Sequence, residues 1–287
     1  LGAVSTPEPF KKLFNQGMIT ADAFADHRGV YIDIREVEFR DGEPYHTKTG
    51  EHLQRFSGKM GKRYKNGLPP EEVGEEYGVD TLRLYEMYIG PLEASAPWSM
   101  EGIKGMQRFM QRVWRNFITP ERTANIGGKM TPALEKRIHK TIMRVTEDIE
   151  NLRFNTAIAA LIELNNELVQ LPAVPKELAH VFLRLLAPFA PHIAAEIWEV
   201  WGFGAEDITD EAWPVADAEK AKDEEIVMAV QVQGKMRDTI KVAADATSDE
   251  IEAAAKASAR VANALAGKEI QRVLIVPGRV INFILRK

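Results

Sequence analysis

The chain has 287 residues, 45% of them hydrophobic, with 37 Lys and Arg against 42 Asp and Glu and no cysteine. That length allows two or more domains with true cores. No run approaches the roughly eighteen uncharged apolar residues of a membrane span, and without cysteine there is neither a disulfide nor a thiolate metal site.

From Pro9 to Gly17 the pattern predicts a short helix with Phe10, Leu13 and Phe14 inward and Gly17 as its stop. Val30–Ile32 and Val37–Phe39 read as strands, and Asp41-Gly42 as a hairpin turn. Asp26-His27-Arg28 reads as an exposed turn rather than as chemistry. The next stretch is the most informative. Lys59, Lys62, Arg63 and Lys65 put four cations into seven residues, interleaved with Gly58 and Gly61 and closed by Gly67, Pro69 and Pro70. Such a loop suits a polyanion: glycine lets N–H groups turn toward phosphate, and lysine supplies point charges. A solvated basic turn is the plainer reading of a lone K-x-x-K.

Pro70 then opens a short helix ending near Tyr77-Gly78, and Asp80–Met87 forms a second, with Asp80 expected to cap it on the N–H of Leu82 or Arg83. For Asp80 and Arg83 a cap or a salt bridge outweighs a functional role. Ser99 caps a long helix. At about 100° per residue, Ile103, Met106, Phe109, Met110, Val113, Trp114 and Phe117 fall on one arc. Lys104, Arg108, Arg112 and Arg115 form a cationic stripe on nearly the opposite side, suited to a phosphate backbone. Thr131-Pro132 starts the next helix, whose buried stripe runs Leu134, Ile138, Ile142, Val145, Ile149 and Leu152, with Lys136, Arg137, Lys140 and Arg144 to one side. A helix restarts at Asn155-Thr156, another opens at Pro175, and Pro188 and Pro191 break the chain before Ile193–Trp201. His192, in an apolar run, reads as a packed or capping histidine. Together these helices describe an antiparallel bundle.

The net charge is −5, but it is unevenly spread. Ala205–Glu225 holds nine acidic residues against Lys220 and Lys222, a balance of −7, whereas Ile226–Lys287 holds ten Lys and Arg against six Asp and Glu, a balance of +4. An acidic connector precedes a basic module, and such local patches decide where a phosphate backbone can lie. The module reads as strands over Ile226–Gln233 and Met236–Val242, a capping box at Thr247–Glu250, a helix to Gly267, and strands over Val273–Val276 and Val280–Leu285. That is a small ββαββ domain, with Lys235, Arg237, Lys241, Arg272 and Arg279 expected to cluster near its strand ends.

KMGKR resembles the KMSKS signature of class I aminoacyl-tRNA synthetases, and what surrounds it resembles the leucyl-tRNA synthetase family, bacterial type. EPFKKLFNQGMI, YGVDTLRLYEM, GPLEASAPW, RFMQRVWRNF, LRFNTAIAALIELNNEL, LAPFAPHIAAEIWE, VQVQGKMRDTIKV and VPGRVINFIL follow the family in order, over essentially all of the chain. The resemblance implies a mainly α chain with α+β ends. Residues 1–58 would be the end of a class I nucleotide-binding domain with a small insertion, 59–98 the KMSKS-like loop and connecting helices, and 99–204 the helical anticodon-arm bundle. Residues 205–225 would be an acidic linker, and 226–287 a C-terminal tRNA-binding domain.

The resemblance also implies ATP-dependent joining of leucine to its tRNA through leucyl-adenylate. Lys59 and Lys62 would be the catalytic lysines on the ATP phosphates, with Met60 part of the ATP site. Lys104, Arg108, Arg112, Arg115, Lys235 and Arg237 would be contacts to tRNA(Leu). Mg2+ would accompany ATP in the complete enzyme, with no cofactor or metal bound by this chain alone. The setting would be cytoplasmic. Gly61 and Arg63 stand where the signature has serines. None of the six histidines lies in a HIGH-type motif, and the chain starts at Leu1 in mid-motif. The expectation is therefore a C-terminal part, inactive alone, of an enzyme whose N-terminal catalytic half is its partner. The alternative is a non-catalytic tRNA-binding module or one subunit of a split synthetase.

Overall fold

The computed structural model describes residues 2, 4–204, 207–223 and 225–286, and the chain divides into two compact units, Leu1–Lys220 and Ala221–Lys287. The first unit opens on a small sheet. Strand β1 (Ile19–Ala25) is its centre, with β2 (Tyr31–Ile32) and β5 (Gln54–Lys59) antiparallel to it and β6 (Ala96–Pro97) parallel. Between β2 and β5 lies a hairpin, β3 (Val37–Arg40) and β4 (Glu43–His46). Asp41 and Gly42 both have positive φ there, 52° and 84°, which is the chemistry of a two-residue hairpin turn. The carboxylate of Asp26 is buried and accepts from the N–H groups of Arg28 and Val30 and from the Arg28 guanidinium. These donors hold its pKa below the usual range.

The segment from Pro9 to Gly17 is not helical. Phe10 is 85% exposed and Leu13 82%. An isolated turn with no surface to bury its apolar face cannot offset the cost of nucleation. Gly17 serves a close approach instead. Its N–H donates to the Leu92 carbonyl at 2.8 Å, and a Cβ there would stand 2.1 Å from the Ala94 oxygen.

Seven helices share one core: α1 (Pro70–Tyr77), α2 (Val79–Tyr88), α3 (Met100–Phe117), α4 (Pro132–Glu150), α5 (Phe154–Leu168), α6 (Lys176–Leu186) and α7 (Pro191–Trp201). Ser99 caps α3 as expected, accepting from Gly102, and Thr131 caps α4. Six of the seven apolar residues on the α3 arc are buried, with Trp114 partly so. The first turn of α3 lies so close to α2 that a Cβ on Gly102 would meet the Tyr85 ring at 2.6 Å.

Asp80 does not cap its own helix. Its buried carboxylate reaches α7, accepting from the Ile193 N–H at 2.8 Å and from His192 Nδ1 at 2.7 Å. Pro191 has no N–H, so the orphan donors at the start of α7 are few, and a carboxylate from a neighbouring helix satisfies one of them. Arg83, one turn along α2, donates to the carbonyls of Pro188 and Phe189. These two residues tie α2 to both sides of the α6–α7 corner. Asp80→Ala is therefore expected to cost about 1–3 kcal/mol, the scale of a lost charge-assisted bond, in denaturant unfolding of the chain. Asp80→Asn, which keeps an acceptor for Ile193, should cost less.

The described residues of the acidic connector lie along the bundle. Ile208 is buried, and the Ala212 carbonyl accepts from Arg184 at 2.7 Å. Trp213 Nε1 donates to Thr146 Oγ1 at 2.8 Å, and the Asp217 N–H donates to His139 Nδ1. Apolar and aromatic residues among the carboxylates give this segment something to dock. Its helical turn α8 (Ala218–Ala221) closes it. Ala205, Glu206 and Glu224 of this connector lie outside the described residues.

The second unit is a four-stranded sheet in the order β8-β7-β10-β9, built from β7 (Glu225–Val232), β8 (Lys235–Ala243), β9 (Ile270–Val276) and β10 (Val280–Leu285). Its inner strands β7 and β10 are parallel. Two helices cover one face, α9 (Ser248–Ala257) and α10 (Ala259–Leu265), around a core that includes Met228, Val230, Phe283 and Val261. The order is thus ββααββ, and the single helix expected to Gly267 is interrupted. Ser258 has extended backbone, accepts from the Val261 N–H as the cap of α10, and donates its hydroxyl to Asp238. Alanine-rich sequence concealed the break because a serine inside a helical pattern is also a possible cap. The Thr247–Glu250 capping box forms as the sequence indicates.

Candidate functional site

The lysine loop begins where β5 ends. Lys59 pairs with Thr20 of β1, and the Met60 N–H continues the ladder to the Ile19 carbonyl at 3.1 Å. Lys62–Tyr64 make one 3-10 turn, after which Lys65 takes a left-handed conformation with φ 51°. Asn66, 1% exposed, pins the loop. Its Oδ1 accepts from the Gly61 N–H at 2.9 Å, and its amide donates to the carbonyls of Ala21 at 3.2 Å and Lys59 at 3.4 Å. Tyr64 stands edge-on to Tyr31 at 5.2 Å, and the Lys65 carbonyl accepts from Ile34. The loop is therefore held from both ends while its lysines stay exposed.

Lys59, Met60, Gly61 and Lys62 together line a cavity of about 650 Å³ with Pro69, Pro70 and Glu71 at the start of α1. Neither lysine forms an ion pair with a described carboxylate. The two departures from the signature have different consequences. Gly61 has extended backbone with φ 174°, and a Cβ there would meet nothing within 4 Å, so neither backbone nor space demands glycine. Arg63 does not line the cavity; its guanidinium lies over the Tyr64 ring, 5.9 Å from the centroid.

On α3, Lys104, Arg108 and Arg115 are exposed and Arg112 is half-buried. The stripe is less uniform than its spacing suggests. Lys104 bonds Glu101 at 3.0 Å, which also raises the lysine pKa. Arg108 and Arg115 fold back through Nε onto the carbonyls of Lys104 and Gln111. The buried Nε of Arg112 has no hydrogen-bond partner among the described residues. The net positive charge thus comes from three arginines. On α4, by contrast, Arg137 pairs with Glu163 and Glu167, and Arg144 with Glu163, so those cations are used within the bundle.

In the second unit Lys235, Arg237 and Lys241 are exposed along β8. The strand register shifts between Val230 and Gln231, leaving Arg237 as an extra residue in the ladder. The basic residues do not gather in one cluster. Register puts Lys235 and Arg272 toward one end of the sheet, opposite Val232 and Ile284, and Lys241 and the β9–β10 turn residue Arg279 toward the other. Among the described residues no three His, Cys, Asp or Glu side chains come together as metal ligands, and no helix is long and apolar enough to cross a membrane. Sequence reasoning missed Asn66. The short turn-rich string after the lysines hid a buried side chain whose three bonds are all to backbone.

Residues 133–253 match the anticodon-binding domain of tRNA ligase. The chain carries a tRNA-ligase domain. Its whole length also matches the agnB2 leucyl-tRNA synthetase of Agrobacterium radiobacter K84, solved in a ternary complex with tRNA and LeuAMS, at a TM-score of 0.72 and 26% identity. All of this chain is covered but only 35% of that protein, so the chain spans about a third of its relative's length. The resemblance to the C-terminal part of a class I leucyl-tRNA synthetase therefore extends on both sides of the anticodon-binding domain, and includes the lysine loop that precedes it.

Proposed function

We propose that this chain is the C-terminal portion of a leucine-tRNA ligase. It supplies the KMSKS-like loop and the tRNA-holding domains for ATP-dependent leucylation of tRNA(Leu) in the cytoplasm, and is inactive without the half that binds leucine. The observation that carries this reading is the convergence of Lys59 and Lys62, neither paired with a described carboxylate, on one cavity in a chain that also matches an anticodon-binding domain. When the leucine carboxylate attacks the α-phosphate of ATP, the bond to pyrophosphate breaks and negative charge grows on the leaving group. An ammonium ion already placed there is attracted most strongly at that moment. Lys62, on the loop beyond the strand, is the more directly catalytic, and Lys59, anchored in the ladder, holds the phosphates. Mg2+ would arrive on the nucleotide. The cavity offers ammonium groups and the single carboxylate Glu71, so no step is assigned to the metal through this chain.

A second reading is a non-catalytic tRNA-binding module or the RNA-holding subunit of a split synthetase. Both readings expect RNA binding, and only the first expects adenylate formation when the other half is supplied. Binding of tRNA(Leu) and of an unrelated tRNA as salt is raised tests the shared part. Tight, salt-sensitive binding with preference for tRNA(Leu) is expected. Arg108→Ala with Arg115→Ala should flatten the log–log salt slope by about 0.7–0.9 per lost phosphate contact. An unchanged slope would remove the stripe from the interface.

A further inference from the structure

We infer that the tRNA-ligase chain has a pocket for a single unstacked nucleobase beside the α3 stripe, between α3, the α1–α2 junction and the start of α7. The inference rests on the RNA reading of that stripe and adds a base-binding site to it. A cavity of about 570 Å³ opens there, within the range of small-ligand pockets. Two aromatic side chains, Tyr77 and Trp114, are in its wall, and Gln107 and Gln111 are on its α3 side. No described residue hydrogen-bonds either glutamine side-chain amide or the Trp114 indole N–H.

The histidine of this pocket is oriented. The Asp80 carboxylate can only accept, so His192 Nδ1 donates to it at 2.7 Å, and the ring turns its Nε2 away from Asp80. The carboxylate is itself fixed by the Ile193 N–H. His192 remains largely exposed, with 73% of its side chain accessible. Asp80 and His192 thus make a fixed polar edge of the cavity.

These parts match what a splayed base needs. Single-stranded nucleotides are read by stacking on aromatic rings and by hydrogen bonds to their exposed edges. Glutamine amides donate and accept, which suits the mixed edges of a base. At about 100° per residue, Gln107, Gln111 and Trp114 lie on the flank of α3 between its buried arc and the stripe of Arg108, Arg112 and Arg115. A backbone following the arginines would therefore pass the mouth of the pocket. The charge beside the pocket selects a polyanion, and the pocket's own lining selects a base.

The test compares two RNA hairpins with the full chain, one with a single unpaired adenosine in its stem and one fully paired. The chain should bind the bulged hairpin about tenfold more tightly, the scale of one base–aromatic stack. Gln107→Ala with Gln111→Ala, on a polar flank where folding is not at stake, should remove most of that preference and leave the paired hairpin and the salt slope unchanged. Trp114→Phe should weaken the preference less than Trp114→Ala. Arg108→Ala with Arg115→Ala should lower both affinities together. Equal binding of the two hairpins, or a preference that survives the glutamine changes, overturns the pocket while leaving the stripe standing. Binding of neither hairpin, with tRNA also unbound, overturns both readings.

Discussion

Lys62→Ala in the complete enzyme is expected to slow leucyl-adenylate formation, followed as pyrophosphate exchange into ATP, about 10²–10³-fold. That is the usual cost of removing one group aimed at developing charge. The reason lies in the loop's construction. Asn66 fixes the Gly61 amide and the Lys59 carbonyl, so the turn that carries Lys62 is already built before any phosphate arrives. The lysine has no carboxylate to leave among the described residues, so its charge would be available to a pyrophosphate. Affinity for tRNA should stay within about twofold, because the arginine stripe is on α3. Equal losses in exchange and in tRNA affinity would sink the assignment. Lys59→Ala should act more on apparent ATP affinity, since its backbone is held in the β1–β5 ladder.

Phe117→Ala should have the largest effect on stability, about 3–5 kcal/mol, the range for a fully buried phenylalanine. Phe117 is 0% exposed at the end of α3. Its ring stacks on Phe182 of α6 at 5.2 Å and lies 5.9 Å from Trp201 of α7, so one side chain joins three helices. Its carbonyl accepts from Trp201 Nε1 at 2.9 Å, a bond that alanine retains if the helix end keeps its place. Urea unfolding followed by tryptophan fluorescence would measure the loss. A cost below about 1 kcal/mol would mean that the α3–α6–α7 contact collapses around the missing ring and is not the keystone proposed. Leu161→Ala, also fully buried but in α5, offers a comparison in the range of about 2–5 kcal/mol.

Much of the fold was legible because the signals were local. Ser99, Thr131 and the Thr247–Glu250 box stop or start helices through bonds to their own next turn, and Asp41-Gly42 turns the chain through its own φ angles. The apolar arc of α3 also needed no partner to be read, since a face that must be buried shows itself by spacing alone. The same holds for the lysine loop, whose composition and resemblance together singled out Lys59, Met60 and Lys62.

Tertiary structure decided what depends on a residue's distant neighbours. Asp80 occupies a plausible cap position in its own helix, yet α7 offers its carboxylate donors across 113 residues of sequence. Phe10 and Leu13 have a helical spacing, but spacing cannot supply the surface that would bury them. The charge of the α3 stripe depends on which cations find carboxylates. Among the described residues Lys104 finds one, Arg108, Arg112 and Arg115 find none, and the arginines of α4 find theirs on α5. The pocket beside that stripe exists only because α1, α2, α3 and α7 meet there. The sequence by itself determined where the capped helices α3, α4 and α9 begin and which residues carry charge. The packed chain alone decided which of those charges are spent inside the protein and which are left for a ligand, because pairing is a property of distance, and distance is set by the fold.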